Sequence, residues 1–154
     1  MTVNVVVRQA THHDAAIIVR FNALMGEETE GKKLDERILE QGVRAILSDP
    51  SKGVYYVAEI DSRVVGQLMI TYEWSDWRNS NFWWIQSVYV EREYRKQGVF
   101  ASLFEHMRAL AKSRHDICGL RLYVEKANVR AQSAYERLGM KRSHYEMFEL
   151  ELKP

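Results

Sequence analysis

Six short stretches of the chain alternate apolar with polar residues or are apolar throughout, a pattern typical of β-strands. They span residues 3–7, 54–60, 64–72, 82–90, 120–124 and 145–152. Only Asp61, Ser62 and Arg63 separate the second stretch from the third, which predicts a hairpin. Gly66, inside the third stretch, indicates a bulge or the close approach of another element.

Apolar residues three and four positions apart predict four helices. Thr11 and Asp14 have the spacing of a capping box, which opens the first helix, and we expect this helix to break near Gly26. Gly139 has the position of a left-handed residue that ends the fourth helix. The other three helices are predicted over residues 34–47, from 99 to about 114, and over 128–138.

The element order β-α-α-β-β-β-α-β-α-β predicts an α/β fold, with a mixed, mostly antiparallel central sheet and helices on both faces. The strand before Arg95 and the strand from Leu120 should lie parallel, because a right-handed crossover through a helix connects them. The sequence has no internal repeat, low-complexity tract or linker, so we expect residues 1–154 to form a single domain.

The composition limits which binding partners and which cellular compartment we expect. A formal net charge of +1 gives no global electrostatic attraction to nucleic acid or to a membrane surface. One cysteine, Cys118, cannot form an internal disulfide, which fits a reducing compartment. No apolar run approaches the roughly 20 residues that span a bilayer, and the N-terminus lacks the pattern of a signal peptide. We therefore expect a cytoplasmic protein.

The stretch with the clearest chemistry follows the fourth predicted strand. There the chain passes through a polar, basic turn that closes on Gly98 and enters a helix. A helix N-terminus presents backbone N–H groups and a positive dipole end, and it binds anions, phosphate above all. Arg95 and Lys96 add positive charges at the same place. The alternative is an ordinary strand–loop–helix connection with a solvated charge run.

The residues from Arg95 to Ala101 resemble the Gln/Arg-x-x-Gly-x-Gly/Ala signature of the GNAT superfamily of N-acetyltransferases. Arg95 and Gly98 match it, whereas Phe100 stands where the family usually has Gly or Ala. In that family the turn wraps the pyrophosphate of acetyl-CoA. The resemblance therefore implies a contact surface for acetyl-CoA, formed by Val88, Tyr89, Val90, Arg95, Lys96, Gln97, Gly98, Val99, Phe100 and Ala101.

A second stretch resembles the family signature Asn-x-x-Ala-x-x-x-Tyr-x-x-x-Gly-Phe. Here Asn128, Ala131, Tyr135 and Gly139 match it, and Met140 replaces Phe. The first three share one helical face and are expected to contact acetyl-CoA, with Ala131 leaving room for the pantetheine arm. The alternative is structural: Asn128 as an N-cap and Tyr135 at an amphipathic boundary.

The chemistry follows from the bond that is broken. Acyl transfer from a thioester expels a thiolate whose conjugate acid has a pKa of about 8.5, and a tyrosine hydroxyl, with a pKa of about 10, can protonate it. In similar enzymes the tyrosine that matches Tyr135 is assigned this general-acid role. A backbone N–H of residues 87–90 is the candidate to stabilise the carbonyl oxygen, because related enzymes splay that strand from its neighbour. Direct attack by the amine then needs no covalent enzyme intermediate.

The residues expected to bind and deprotonate the acceptor amine depart from the family's pattern. Many relatives place a Glu early in the fourth strand, where this chain has Gln86, which cannot act as a base. The candidate base in its place is Glu73, or else Asp76, in the predicted polar loop of residues 73–81. Trp74 and Trp77 in that loop can cradle a cation, and Glu27 lies in a loop that forms a wall of the acceptor cleft in similar proteins.

The sequence therefore predicts an enzyme, an N-acetyltransferase that moves an acetyl group from acetyl-CoA to a primary amine of a small molecule. Two alternatives remain: an acyl-CoA-binding sensor or regulatory module without turnover, and an acetyltransferase of protein lysines or N-termini. Acetyl-CoA is the expected co-substrate, with no metal. The expected partner is the small-molecule amine, not nucleic acid or membrane, and homodimerisation is left open.

Overall fold

Five strands form one open sheet in the order β1-β2-β3-β4-β5, antiparallel from β1 to β4 and parallel between β4 and β5. The computed structural model of the protein describes residues 3–153. The strands are β1 (Val6–Gln9), β2 (Val54–Ile60), β3 (Arg63–Ser75), β4 (Ser80–Val90) and β5 (Ile117–Arg121), and the helices are α1 (Ala15–Glu30), α2 (Glu36–Ser48), α3 (Val99–Lys112) and α4 (Val129–Arg137). The parallel pairing of β4 and β5 confirms the prediction.

Helices cover both faces of the sheet, as predicted. Neighbouring residues of β2 show this, because successive side chains of a strand point to opposite faces. The hydroxyl of Tyr55 accepts a hydrogen bond from Asn22 of α1, whereas the ring of Tyr56 lies 5.7 Å from that of His106 of α3. The core on the first face joins α1 and α2 to β2, with Ile18, Val43, Ile46 and Val57 all buried.

The start of the first helix is confirmed and its end is not. Thr11 and Asp14 form the capping box, and a short 3-10 turn, His12–Asp14, leads into α1. The helix passes through Gly26 and ends at Gly31, whose φ of 62° is left-handed. Gly26 is there for packing, because a Cβ would lie 2.8 Å from the Leu34 side chain.

The β3–β4 hairpin is longer than predicted. Pairs from Glu73–Phe82 to Ser75–Ser80 extend the two strands, so the turn between them holds only residues 76–79, rather than a loop over 73–81. Gly66 has the predicted close packing: a Cβ there would lie 2.9 Å from Val99 of α3.

The predicted strand over residues 145–152 is wrong, because the structure has no strand there. The large apolar side chains of this segment are exposed, with Phe148 at 92% and both Leu150 and Leu152 at 86%. Alternation alone therefore did not bring the segment into the sheet.

The chain divides into two compact units, the first ending at Leu122 and the second beginning at Tyr123. The sheet with α1, α2 and α3 belongs to the first unit, and α4 to the second. The single domain of residues 1–154 stays a prediction. Among residues 3–153, no helix combines the length and the apolar character that a membrane span requires.

Candidate active site

β4 contains one extra residue opposite β3. Gln67 pairs with Tyr89 and Met69 with Gln86, so the interval along β4 is one residue longer than the interval along β3. Ser87 accommodates the difference with a φ of 51°, a conformation that residues other than glycine seldom adopt. The result is a β-bulge at Ser87, which interrupts the ladder locally.

The β4–β5 pairing ends before this bulge. The last pair that joins the two strands is Trp84–Arg121. Further along, the N–H of Glu91 donates to the carbonyl of Val65 in β3 at 2.8 Å. Backbone groups alternate in direction along a strand, so the N–H groups of Val88 and Val90 point away from β3, into the gap that β5 leaves. The pairing of β4 with β5 thus ends before residues 87–90, and the splaying of the two strands stays a prediction.

The turn after β4 enters α3 with a left-handed backbone. Lys96 and Gly98 have φ values of 64° and 80°, and Gly98 is the N-cap residue of α3. No side chain caps the helix, and its first-turn N–H groups have no intrahelical acceptor. A Cβ on Gly98 would meet nothing within 4 Å. This arrangement fits a phosphate group beside the helix N-terminus.

The guanidinium of Arg95 is bound by protein groups. Its Nε donates to the carbonyl of Val90 at 2.8 Å, and its Nη2 donates to Glu28 at 2.7 Å. Glu28 also accepts hydrogen bonds from Tyr89 and Arg92, both at 3.3 Å. Burial alone would raise the pKa of Glu28, but Arg95 and the other donors hold it below its usual value. Arg95 therefore ties the turn to β4 and α1.

The other residues of the first signature differ in exposure. Lys96 and Gln97 are exposed, and the Gln97 amide donates to the carbonyl of Glu93 at 3.1 Å. Val99 is buried. Phe100 and Ala101 are half-buried, and the ring of Phe100 lies 6.2 Å from that of Phe104. Of these residues, Lys96 adds its charge at the surface.

Glu73 and Gln86 lie on one face of the sheet, the face that carries α1 and α2. The Gln86 amide donates to the Thr71 hydroxyl at 2.6 Å. The Glu73 carboxylate accepts from the Trp84 indole at 2.8 Å and from Arg121 at 3.0 and 3.1 Å. The Glu73 side chain is therefore held in a polar patch by Trp84 and Arg121.

The tryptophans of the predicted loop do not share this face. Trp74 follows Glu73 in β3 and so points to the opposite side, where it is 58% exposed. Asp76 and Trp77 lie in the hairpin turn, where the Asp76 carboxylate accepts from the Trp77 N–H at 3.0 Å. Glu27, near the end of α1, is exposed. Glu73 thus shares a sheet face with Gln86, although Glu73 pairs with Phe82 and Gln86 with Met69, and Trp74 lies on the other face.

The second signature begins α4. The Asn128 side chain accepts from the Ala131 N–H at 3.1 Å and caps the helix, and Gly139 has the predicted left-handed conformation with a φ of 96°. The buried Gln132 donates to the carbonyls of Glu125 and Lys126 at 3.0 Å and so fixes the segment before the helix. Burial raises the pKa of the Tyr135 hydroxyl.

Three comparisons place the chain among known proteins. The family model of the acetyltransferase (GNAT) family matches residues 18–140. Thialysine N-epsilon-acetyltransferase of Bos taurus is 30% identical over 148 residues, covering 88% of this chain and 83% of the relative. A possible acetyltransferase from Clostridium difficile 630 is 47% identical with a TM-score of 0.91, covering 97% of this chain and 99% of its own. The chain belongs to the GNAT family of acetyltransferases.

A more distant structure shares the GNAT fold. It is a predicted acetyltransferase with acetyl-CoA from Clostridium acetobutylicum, 19% identical with a TM-score of 0.74, and the match covers 97% of both chains. At this identity the likeness extends to the fold alone. Both signatures lie inside the range that the GNAT family model matches.

Sequence reasoning missed three residues of the site. Glu28 was passed over for its neighbour Glu27, although the side chain of Glu28 is the one that contacts Arg95. Arg121 was not singled out, and its pairing with Glu73 crosses 48 residues, beyond the reach of a local pattern. Residues 87–90 were expected to supply a backbone N–H, but the bulge at Ser87 was not foreseen, because a positive φ at serine has no local sequence signal and glycine is the usual residue in that conformation.

Proposed function

We propose that this GNAT protein transfers the acetyl group of acetyl-CoA to the primary amine of a small molecule. The observation that carries the proposal is the β4 bulge beside the gap to β5, followed directly by the open N-terminus of α3. One feature supplies N–H groups for an acyl carbonyl and the other for phosphates. The name of the bovine relative, which refers to the side-chain nitrogen of thialysine, favours an amine acceptor.

The fit of acetyl-CoA is supported by backbone groups more than by side chains. In the proposal, Val88, Tyr89 and Val90 line the acyl arm, and residues 95–101 surround the pyrophosphate. Because Glu28 already pairs with Arg95, the N–H groups of the turn and the charge of Lys96 are the main attraction for phosphate. Asn128, Ala131 and Tyr135 are assigned to the co-substrate by the second signature.

The proposed reaction is a direct displacement. The amine nitrogen attacks the thioester carbonyl carbon, an N–C bond forms, and the C–S bond breaks with its electron pair on sulfur. The N–H groups of the β4 bulge stabilise the oxygen while negative charge develops on it. Tyr135, whose hydroxyl is protonated at neutral pH, donates its proton to the sulfur.

The acceptor amine must lose a proton, and Glu73 is the proposed acceptor of it. Glu73 shares a sheet face with Gln86, which can orient a water. Trp74, Asp76, Trp77 and Glu27 remain proposed substrate contacts, with Trp74 on the other face of β3. The cytoplasmic location likewise stays a prediction.

The first prediction concerns binding of acetyl-CoA. At 100 times its dissociation constant it should stabilise the protein by about 2.7 kcal/mol, which a thermal melt detects. Gly98→Val should weaken this binding by about tenfold or more, because a β-branched residue resists a φ of 80° and the turn must move. The matched control is Gly31→Val: Gly31 has a φ of 62° and equally open surroundings, but it ends α1. Equal loss of binding in both variants would remove the turn from the site.

The second prediction concerns Tyr135. Tyr135→Phe should lower kcat by about 10²–10⁴-fold, because the proton is needed where the thiolate forms. The dissociation constant for acetyl-CoA should change little. Tyr145→Phe is the control in the same unit, at a side chain that is 65% exposed. An unchanged kcat, in a variant whose chemical step limits turnover, would reduce Tyr135 to a packing residue.

The third prediction concerns Glu73. Glu73→Gln keeps an acceptor for Trp84 and Arg121 but removes the proton site, so the acid limb of the pH–rate profile should flatten. The profile is measured with two amines of different basicity. A limb that shifts with the amine and ignores the substitution shows that the amine arrives neutral and that Glu73 is not the base.

The fourth prediction is a homodimer. The exposed side chains of Phe148, Leu150 and Leu152 alternate along the segment and favour burial against a second chain. Analytical ultracentrifugation should give twice the 18.1 kDa of one chain. Replacing Phe148 and Leu150 by serine should yield monomers, whereas Ile38→Ser, at a residue of α2 that is 63% exposed, should not. A wild-type mass of one chain would contradict the prediction.

A further inference from the structure

A chain of buried amides lies beneath the β4 bulge. Gln67 of β3 is fully buried, and its Nε2 donates to the carbonyl of Ser87 at 3.0 Å and to Oδ1 of Asn22 at 2.9 Å. Asn22 of α1 donates in turn to the hydroxyl of Tyr55 at 3.0 Å. Asn22 and Tyr55 are 8% and 4% exposed. This buried network thus runs from β2 through α1 and β3 to the bulged residue.

The network supplies the hydrogen-bond donor that the bulge removes from the Ser87 carbonyl. A bulged residue loses its place in the ladder, and its carbonyl needs another donor if it is buried. The amide of Gln67 provides that donor from the neighbouring strand. Both N–H bonds of its Nε2 are directed, one to Asn22 and one to Ser87, so the side chain is held at both sides.

Burying the Gln67 amide at this position lowers the stability of the fold. Its Oε1 is buried, and none of residues 3–153 provides it with a hydrogen bond. A buried acceptor without a partner destabilises a fold by about 1–3 kcal/mol, and an apolar residue in a regular strand would avoid this penalty. The amide is therefore poorly explained as a core residue alone, and well explained by the peptide that it holds.

We propose that Gln67 is a positioning residue for acetyl transfer. By holding the Ser87 carbonyl it fixes the plane of the Ser87–Val88 peptide, and with it the direction of the Val88 N–H, which points into the gap between β4 and β5. Asn22 holds Gln67 in the orientation that this requires. The inference rests on the proposed function, in which the Val88 N–H stabilises the acyl oxygen. It adds that Gln67 sets the direction in which this N–H points.

The test replaces the donor without emptying the site. Gln67→Met has a similar length and no N–H group, and it should lower kcat by about 10–100-fold, somewhat less than deletion of an oxyanion donor. The KM for acetyl-CoA should change by less than about threefold, since ground-state binding does not depend on that alignment. Ile70→Val is the control, a buried change in the same strand on the opposite face, and it should leave kcat unchanged. Wild-type kcat in Gln67→Met would overturn the proposal.

Asn22→Ala is the second variant, should Gln67→Met fail to fold. It leaves the Ser87 contact in place but frees the other side of the amide, so kcat should fall by about 3–10-fold, a part of the loss expected for an oxyanion donor. Wild-type kcat in Asn22→Ala would equally overturn the proposal.

A crystal structure of Gln67→Met separates this inference from the proposed function. Ser87 should leave the left-handed region, whether or not the protein transfers acetyl groups. If wild type binds no acetyl-CoA, the proposed function fails. If Ser87 keeps its φ in the variant, the positioning role fails on its own.

Discussion

A backbone N–H can complete a sheet or face a substrate, but it cannot do both, and the site depends on this constraint. β4 pairs with β5 only as far as Trp84, and of the described strands only β3 pairs with its later residues. The sheet stays intact there because β3 pairs with β4 along the whole remaining length, interrupted only at the bulge. Backbone donors on the other side of β4 are thus left without a strand partner, while β3 keeps β4 in the sheet.

α1 supports β4 where the pairing of β4 with β5 ends. In its middle, Asn22 reaches the network under the bulge, and near its end Glu28 binds Arg95 and Tyr89. The same helix therefore supports both the bulged strand β4 and the turn that leads into α3. Its passage through Gly26, where a helix end was expected, is what places Glu28 within reach of the turn.

The sequence predicted most of the fold and the location of the turn. The predictions failed where contacts between residues far apart in the sequence determine the structure. The hairpin at residues 61–63, the parallel pairing of β4 with β5, the capping box at Thr11 and the left-handed Gly139 follow from local rules and are confirmed. The longer hairpin, the separation of Trp74 from Glu73 by strand alternation, and the unpaired segment of residues 145–152 depend on partners that a single sequence does not identify. The two signatures identified the family, since the turn by itself was compatible with an ordinary connection.

The chemistry of the buried network bears on the origin of any pH dependence. Gln67 and Asn22 carry amides, which do not titrate, and burial raises the pKa of Tyr55, so this hydroxyl stays neutral through the physiological range. The bulge is therefore held by groups whose charge does not change with pH. Under the proposed mechanism, a titration that alters turnover is then expected in the amine, its proton acceptor or Tyr135. The pH–rate profile is then expected to report on these groups and not on the bulge at Ser87.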